Sequence, residues 1–184
     1  MMDVGMLNRD SKQGQMSPVE RHILYFVVRE RKPQAIFEIG TWKGGGSTLF
    51  ISSALMDNGS GKLYTIEPDP NFSRVASALY NNEFPQQKQF VDFNAGDSLS
   101  VFPEILKRME KVDMVLFDGA EDPDQTVAEY KMFQPWIKEG SILAFHDWNT
   151  DKCIKIKELI MMTPDLKLVA HTTMGTGFTV WERI

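Results

Sequence analysis

Short apolar runs alternate with amphipathic stretches along most of this chain. The apolar runs end at Gly, Pro or acidic residues and predict strands near 35–39, 62–67, 89–94, 113–118 and 141–146. The stretches that follow them repeat apolar positions every three or four residues and predict helices near 47–56, 71–82, 99–110, 124–138 and 150–162. Because each strand is followed by a helix, the pattern predicts an α/β fold with a doubly wound, mostly parallel sheet.

The start of the chain carries a strong helix signal. Ser17 is a predicted N-cap, Pro18 suits the first helical position, and Glu20 completes a capping box. This helix is expected to end before Pro33. The polar, Gly- and Gln-rich residues 1–16 that precede it are predicted to form a mobile N-terminal arm.

The end of the chain predicts two further strands. They lie near 167–172 and 177–182, close enough in sequence to form a hairpin with antiparallel character at one edge of the sheet. The sheet would then have seven strands. A chain of 184 residues buries one core, so we expect residues 17–184 to form a single domain.

Composition narrows the range of partners. The net charge of −5 provides no basic surface for nucleic acid or anionic lipid. The single cysteine, Cys153, excludes an internal disulfide framework and a multi-cysteine zinc site. We find no apolar stretch near the length of a membrane span and no signal-peptide pattern at the start. The expectations are therefore a cytoplasmic protein without a nucleic-acid or membrane partner.

The most informative segment is residues 36–48, an apolar run followed by a glycine-rich turn and a helical pattern. Glycine permits positive φ and a close approach of the backbone to a ligand, so a strand, a glycine turn and a helix N-terminus are the usual cradle for a nucleotide-like ligand. The dinucleotide fingerprint G-x-G-x-x-G fails because Trp42 stands where a glycine is required. The segment reads instead as E-x-G-x-x-x-G, from Glu38 through Gly40 to Gly44.

This spacing resembles the first motif of the class I methyltransferases that depend on S-adenosylmethionine (SAM). The order of five strand–helix units and a final hairpin also resembles their Rossmann-like fold, over nearly all of residues 17–184. The resemblance implies that SAM is the cofactor. The residues it implies for cofactor binding are Glu38, Gly40, Thr41, Gly44, Gly45, Glu67, Asp97, Ser98 and Asp118.

Several of these residues also have simpler interpretations. Glu67 would accept hydrogen bonds from the ribose hydroxyls, or it is a solvated carboxylate at a strand end. Asp97 and Ser98 resemble the adenine-binding turn, but either could cap the next helix. Glu38, buried at a strand end, is expected mainly to accept hydrogen bonds from the amides of the glycine turn and so fix it, and partly to lie close to the methionine ammonium group. The extra glycine in the turn leaves open whether Gly45 or Gly46 abuts the cofactor.

Chemistry-bearing side chains follow the fourth and fifth predicted strands. Asp118 ends one strand, and His146 and Asp147 end the next. Neighbouring parallel strands place such ends side by side, and two adjacent carboxylates repel unless a cation or shared proton relieves them. Mg²⁺ or another divalent ion is therefore predicted at Asp118, His146 and Asp147. The alternatives are a His146–Asp147 hydrogen-bonded pair without metal and a capping role for Asp118.

The same ends resemble the Asp-Gly-x-His … His-Asp pattern of small O-methyltransferases related to the macrolide-sugar and catechol-type enzymes. That resemblance implies methyl transfer to a hydroxyl of a small molecule with help from a divalent ion, with Asp118, Asp147 and Glu121 as the catalytic residues. Glu121 stands where the pattern has histidine, and could replace it as a base or ligand.

Two other functions stay open at this point. The substitution at Glu121 would fit a SAM-binding module with altered catalysis, and the same scaffold would fit a metal-dependent hydroxylase-like relative. The expected partner is a small-molecule acceptor. Since the chain has no inserted cap domain, a second copy in a homo-oligomer could close the site.

Overall fold

The computed structural model describes residues 14–184 as one seven-stranded sheet covered by helices. The strands are β1 (Ala35–Ile39), β2 (Lys62–Glu67), β3 (Val91–Ala95), β4 (Val112–Phe117), β5 (Ile137–His146), β6 (Leu166–Thr172) and β7 (Phe178–Arg183). The helices are α1 (Pro18–Arg31), α2 (Ser47–Asn58), α3 (Pro70–Asn82), α4 (Pro85–Lys88), α5 (Ser98–Leu106), α6 (Pro123–Phe133) and α7 (Ile154–Met162), with 3₁₀ turns at Gln134–Trp136 and Asp151–Cys153.

The strand order is β3-β2-β1-β4-β5-β7-β6. The first five strands pair in parallel, and β7 pairs antiparallel with both β5 and β6. The predicted doubly wound sheet and C-terminal hairpin are therefore confirmed. The order of the strands reverses between β1 and β4, and ligands of such sheets bind in the crevice at the carboxyl ends of the strands beside this reversal.

Alternating side chains on the strands divide the core into two layers. Ile36 and Met114 pack on one face with residues of α1, α2 and α3. Phe37 and Val115 pack on the other face with residues of α5, α6 and α7. Because successive strand residues point to opposite faces, the buried strands β1 and β4 are mostly apolar on both sides, with Glu38 of β1 as a buried exception. Their apolar runs in the sequence have this origin.

The predicted capping box is present at the start of α1. The Ser17 N–H donates to Glu20 Oε2 at 2.7 Å, and the Glu20 N–H donates to Ser17 Oγ at 3.4 Å. Residues 1–13 of the predicted N-terminal arm lie outside the described residues. Residues 14–16 pack on the domain: Met16 is 3% exposed, and Gly14 lies against the backbone of Gly46.

Two predicted boundaries near the end of α6 were wrong. The predicted helix over 124–138 ends at Phe133, and β5 begins at Ile137 rather than at 141. Pro135 lies between them and cannot donate the backbone hydrogen bond that would continue the helix. Among the residues described, no helix combines the length and the apolar character needed to cross a bilayer.

Gly40 provides a test of how closely the strand tips must approach. It has φ of +97°, and an added Cβ would lie 2.7 Å from the Asp118 carbonyl oxygen. Gly59, with φ of +72° and no atom within 4 Å of an added Cβ, is a matched control. We expect Gly59→Ala to lower the free energy of unfolding by about 1 kcal/mol. Gly40→Ala should lower it by about 1–3 kcal/mol more, because the backbone of the β4 tip must move.

Urea denaturation of the two variants beside the wild-type protein measures both losses. Equal losses for Gly40→Ala and Gly59→Ala would contradict the close-approach argument.

Candidate functional site

A cavity of about 400 Å³ opens at the carboxyl edge of β1, β2, β3 and β4. Its walls are the glycine turn after β1, the residues that follow β2, β3 and β4, the first half of α6 and residues 14–16. The polar and glycine residues among them are Gly14, Gln15, Gly40, Thr41, Gly46, Ser47, Glu67, Gly96, Asp97, Ser98, Asp118, Gly119, Glu121, Gln125 and Glu129. This is the location that the strand order favours for a ligand.

The glycine turn is fastened to β2 by its backbone. The N–H groups of Gly40 and Thr41 both donate to the Ile66 carbonyl oxygen, at 3.1 and 3.0 Å. The structure places Gly46 in the cavity wall, while Gly44 packs against α3, where an added Cβ would lie 3.1 Å from Ala76 Cβ. Gly46 rather than Gly45 therefore abuts the cavity.

Glu38 lies behind the turn and is fully buried. Its Oε2 accepts hydrogen bonds from Thr48 Oγ1 at 2.7 Å and Thr65 Oγ1 at 2.6 Å. Burial raises the pKa of Glu38 to about 7, although hydrogen bonds from Ser47, Thr65 and Thr48 oppose the rise. Glu38 thus ties α2 and β2 to the end of β1 through hydroxyl donors, whereas amide donors from the glycine turn were expected from the sequence.

Glu67 is 7% exposed and lines the cavity. Its Oε2 accepts the Trp42 N–H at 2.7 Å, and its Oε1 accepts the Asp69 N–H at 3.0 Å. A carboxylate has about four acceptor positions, so about two remain for a ligand. Trp42 has φ of +47°, and the bond to Glu67 helps to hold this unusual backbone conformation.

Asp97 and Ser98 occupy the turn between β3 and α5 and face different partners. Asp97 is exposed in the cavity wall, and its carboxylate accepts no backbone N–H of α5 although the residue is at the N-cap position. Ser98 is buried and its Oγ donates to Glu129 Oε1 at 2.6 Å. Gln125 Nε2 donates to the same oxygen at 3.2 Å, and burial raises the pKa of Glu129.

The ends of β4 and β5 bring Asp118, His146 and Asp147 together, as the sequence predicted. One ligand-type atom from each of the three lies within 4.8 Å of the others. His146 Nδ1 is 2.7 Å from Asp118 Oδ1 and 3.3 Å from Asp147 Oδ1. Asp118 lies in the cavity wall, whereas His146 and Asp147 lie behind it. Glu121 also lines the cavity, but it is exposed and outside this cluster.

Two cations compensate these carboxylates. Burial lowers the pKa of His146, but hydrogen bonds to Asp118, Asp147 and Glu20 outweigh it and raise the pKa to about 12, so the ring is protonated. The Lys152 ammonium group lies 2.7 Å from Asp147 Oδ2 and 3.4 Å from Asp118 Oδ1. Burial raises the pKa of Asp147, but His146 and Lys152 lower it well below its usual range.

Sequence reasoning missed three participants: Lys152, Glu20 and Glu129. Lys152 is 5% exposed on a 3₁₀ turn, an element without a sequence periodicity. Glu20 was identified only as a capping residue, yet its Oε2 also lies 3.5 Å from His146 Nε2. The sequence offers one signal for Lys152, which is its position shortly after Asp147. A lysine that becomes buried on folding needs a carboxylate partner.

The raised pKa of Glu38 predicts a pH-dependent stability. Its folded-state pKa of about 7 exceeds the ordinary value of 4.5, so its stabilising contribution is complete below pH 4.5 and is lost as the pH rises through 7. Across this window the wild-type free energy of unfolding should fall by about 3 kcal/mol more than that of Glu38→Gln, which cannot ionise. Urea denaturation of both proteins at several pH values measures the difference. The same pH dependence in both would show that Glu38 does not titrate in this window.

The comparisons with known proteins agree with this geometry. A family model described as "Methyltransferase domain" matches residues 37–148, which run from β1 to the end of the acid cluster. A transmembrane O-methyltransferase of Propithecus coquereli is 34% identical over 103 residues, which are 55% of this chain and 36% of the relative. The match therefore spans about a third of that relative's length.

Solved structures show the same fold over almost the whole chain. An O-methyltransferase of tomaymycin synthesis from Streptomyces achromogenes, solved with SAM, has a TM-score of 0.74 at 23% identity, covering 98% of this chain and 87% of that one. An O-methyltransferase from Bacillus cereus, solved with S-adenosylhomocysteine (SAH), has a TM-score of 0.75 at 19% identity, covering 95% and 84%. On the strength of the family match, this chain belongs to the methyltransferase domain family.

Proposed function

We propose that this protein transfers a methyl group from SAM to a hydroxyl of a small molecule. The observation that carries the proposal is the cavity itself, which joins the glycine turn, Glu67 and Asp97 to the Asp118 carboxylate at the β1–β4 reversal. Its volume of about 400 Å³ is in the range of small-molecule sites. The family match and the SAM- and SAH-bound structures of the same fold support the choice of cofactor.

The described side chains fit a SAM molecule. Glu67 retains acceptor positions for the ribose hydroxyls, and Asp97 offers a carboxylate free of the α5 backbone for the adenine amine. Gly46 and the backbone at Gly40 and Thr41 form a wall that a side chain at Gly40 would disturb. Glu38 and Gly44 would act from behind this wall by holding the turn in shape.

SAM supplies a methyl group activated by a positively charged sulfur, so the acceptor oxygen needs only alignment and removal of its proton. We assign the proton to Glu121. Among the described residues, no side chain or backbone group hydrogen-bonds or pairs with its carboxylate, and it lines the cavity. Asp118 instead shares Oδ1 with His146 and Lys152, so we assign it the orientation of groups in the cavity rather than the proton.

The acceptor, the location and the assembly of this protein remain predictions from the sequence. The predicted acceptor is a small hydroxyl compound, the predicted location is the cytoplasm, and the predicted assembly is a homo-oligomer in which a second copy could close the site. The geometry assigns no step to the predicted divalent ion, because the chain's own cations contact both carboxylates.

Asp97→Ala tests the cofactor site. We expect SAM and SAH to bind about tenfold more weakly, since one hydrogen bond to a charged group is lost. Asp92→Ala is a matched control, because Asp92 is an exposed acid on β3, the strand that leads into the turn with Asp97, and lies outside the cavity. Isothermal titration measures both affinities. Wild-type protein that binds neither compound would overturn the proposal, and an unchanged Asp97→Ala would overturn the role of Asp97.

Glu121→Gln tests the assignment of the base. With an acceptor found by screening hydroxyl compounds for SAH release, we expect kcat to fall by about 10²–10⁴-fold while SAM affinity is unchanged. Asp124→Asn, at an exposed acid on the same segment, is the control. Turnover by Glu121→Gln at the wild-type rate would show that another group accepts the proton. SAM binding without turnover of any hydroxyl compound would favour the altered SAM-binding module.

A further inference from the structure

The acid cluster at the ends of β4 and β5 contains an internal cation. Lys152 projects from the 3₁₀ turn that follows β5, and its side chain is 5% exposed. Its Nζ lies 2.7 Å from Asp147 Oδ2 and 3.4 Å from Asp118 Oδ1. A buried ammonium group is costly unless it is paired and hydrogen-bonded, and here both carboxylates supply that pairing.

The imidazole of His146 is also fully engaged. Nδ1 is directed at Asp118 and Asp147, and Nε2 lies 3.5 Å from Glu20 Oε2. A histidine that binds a metal uses the lone pair of one nitrogen and donates from the other, usually to a carboxylate. In this cluster both nitrogens face carboxylates, which accept hydrogen bonds and cannot donate them. Neither nitrogen is therefore directed at a metal position.

A divalent ion between Asp118 and Asp147 would have to displace these contacts. Asp118 Oδ1 already accepts from both His146 and Lys152, and Asp147 presents one oxygen to each of the same two cations. The incoming ion would meet like charge at short distance and would leave Lys152 buried without a partner. The three residues identified from the sequence as ligands thus do not fit a metal in this arrangement.

We propose that Lys152 takes the place of a divalent cation, bridging Asp118 and Asp147 with its ammonium group and closing this site to metal ions. The charge that relieves the two carboxylates comes from the chain itself. Lys152 is a positioning residue: it does not line the cavity, and it acts by holding the Asp118 carboxylate in the cavity wall. The inference deepens the proposed function and rests on it only for its kinetic consequence.

Removal of the ammonium group should convert the cluster into a metal site. With Mn²⁺ as the probe and electron paramagnetic resonance of the free ion as the readout, Lys152→Met should bind one Mn²⁺ per chain at least about tenfold more tightly than the wild-type protein. Lys155→Met is the matched control. It removes an exposed lysine three residues after Lys152 that pairs with Asp124, and it should behave like the wild type. Adding Asp147→Asn to Lys152→Met should abolish the gain.

Kinetics and SAM binding provide the second arm. EDTA should leave SAM affinity and SAH release of the wild-type protein unchanged, and Lys152→Arg should retain both. Lys152→Met should have a lower kcat that added Mg²⁺ or Mn²⁺ partly restores, a rescue that a merely structural lysine would not show.

Stoichiometric Mn²⁺ binding by the wild-type protein, with the same affinity as Lys152→Met, would overturn the inference, as would inhibition of wild-type turnover by EDTA. If Lys152→Met fails to fold, as judged by thermal unfolding, the wild-type and Lys152→Arg measurements decide the question in the same way. Absence of SAM binding would refute the proposed function alone, because the Mn²⁺ titration does not depend on SAM.

Discussion

The tips of β1 and β4 touch through their backbones, and the site is arranged around that contact. An added Cβ at Gly40 would lie 2.7 Å from the Asp118 carbonyl oxygen, and one at Gly119 would lie 2.6 Å from Ile39 Cγ2. Glycine at both positions allows the two strand ends to approach this closely, because an added side chain at either would meet the neighbouring tip. The glycine turn and the Asp118 carboxylate can therefore face one cavity, which neither strand could form alone.

Behind this contact, buried charges join elements that are far apart in sequence. His146 on β5 contacts Asp118 after β4 and Glu20 on α1, and Lys152 links Asp118 to Asp147. Removing one partner of a buried ion pair costs about 3–5 kcal/mol, because the remaining charge is left without compensation. Such a cluster is a modest source of net stability but a strong constraint on geometry, and it aligns α1, β4 and β5 beneath the cavity.

The carboxylates around the cavity lie in different surroundings. Glu38 is surrounded by hydroxyl donors and serves the structure of the turn. Glu67 divides its acceptor positions between backbone N–H groups and the cavity. Asp97 and Glu121 are exposed in the cavity wall, whereas Asp118 is held by two cations. Carboxylates of equal charge at one sheet edge thus differ in their burial and in the acceptor positions that they leave open to the cavity.

The sequence by itself determined the fold class, the capping box at Ser17 and Glu20, and the meeting of Asp118 with His146 and Asp147. Those features depend on local periodicity and on the rule that parallel strands end at one edge, both of which are written in the order of residues. The predicted end of α6 was wrong because the prediction followed helical periodicity past Pro135, which cannot donate the backbone hydrogen bond that would continue the helix. Only the tertiary structure decided that Gly46 faces the cavity, that Glu20 reaches His146 and that Lys152 lies between the two aspartates. These contacts are made between elements far apart in the sequence. Hydrophobic periodicity does not indicate them, because the packing of the layers decides which side chains meet.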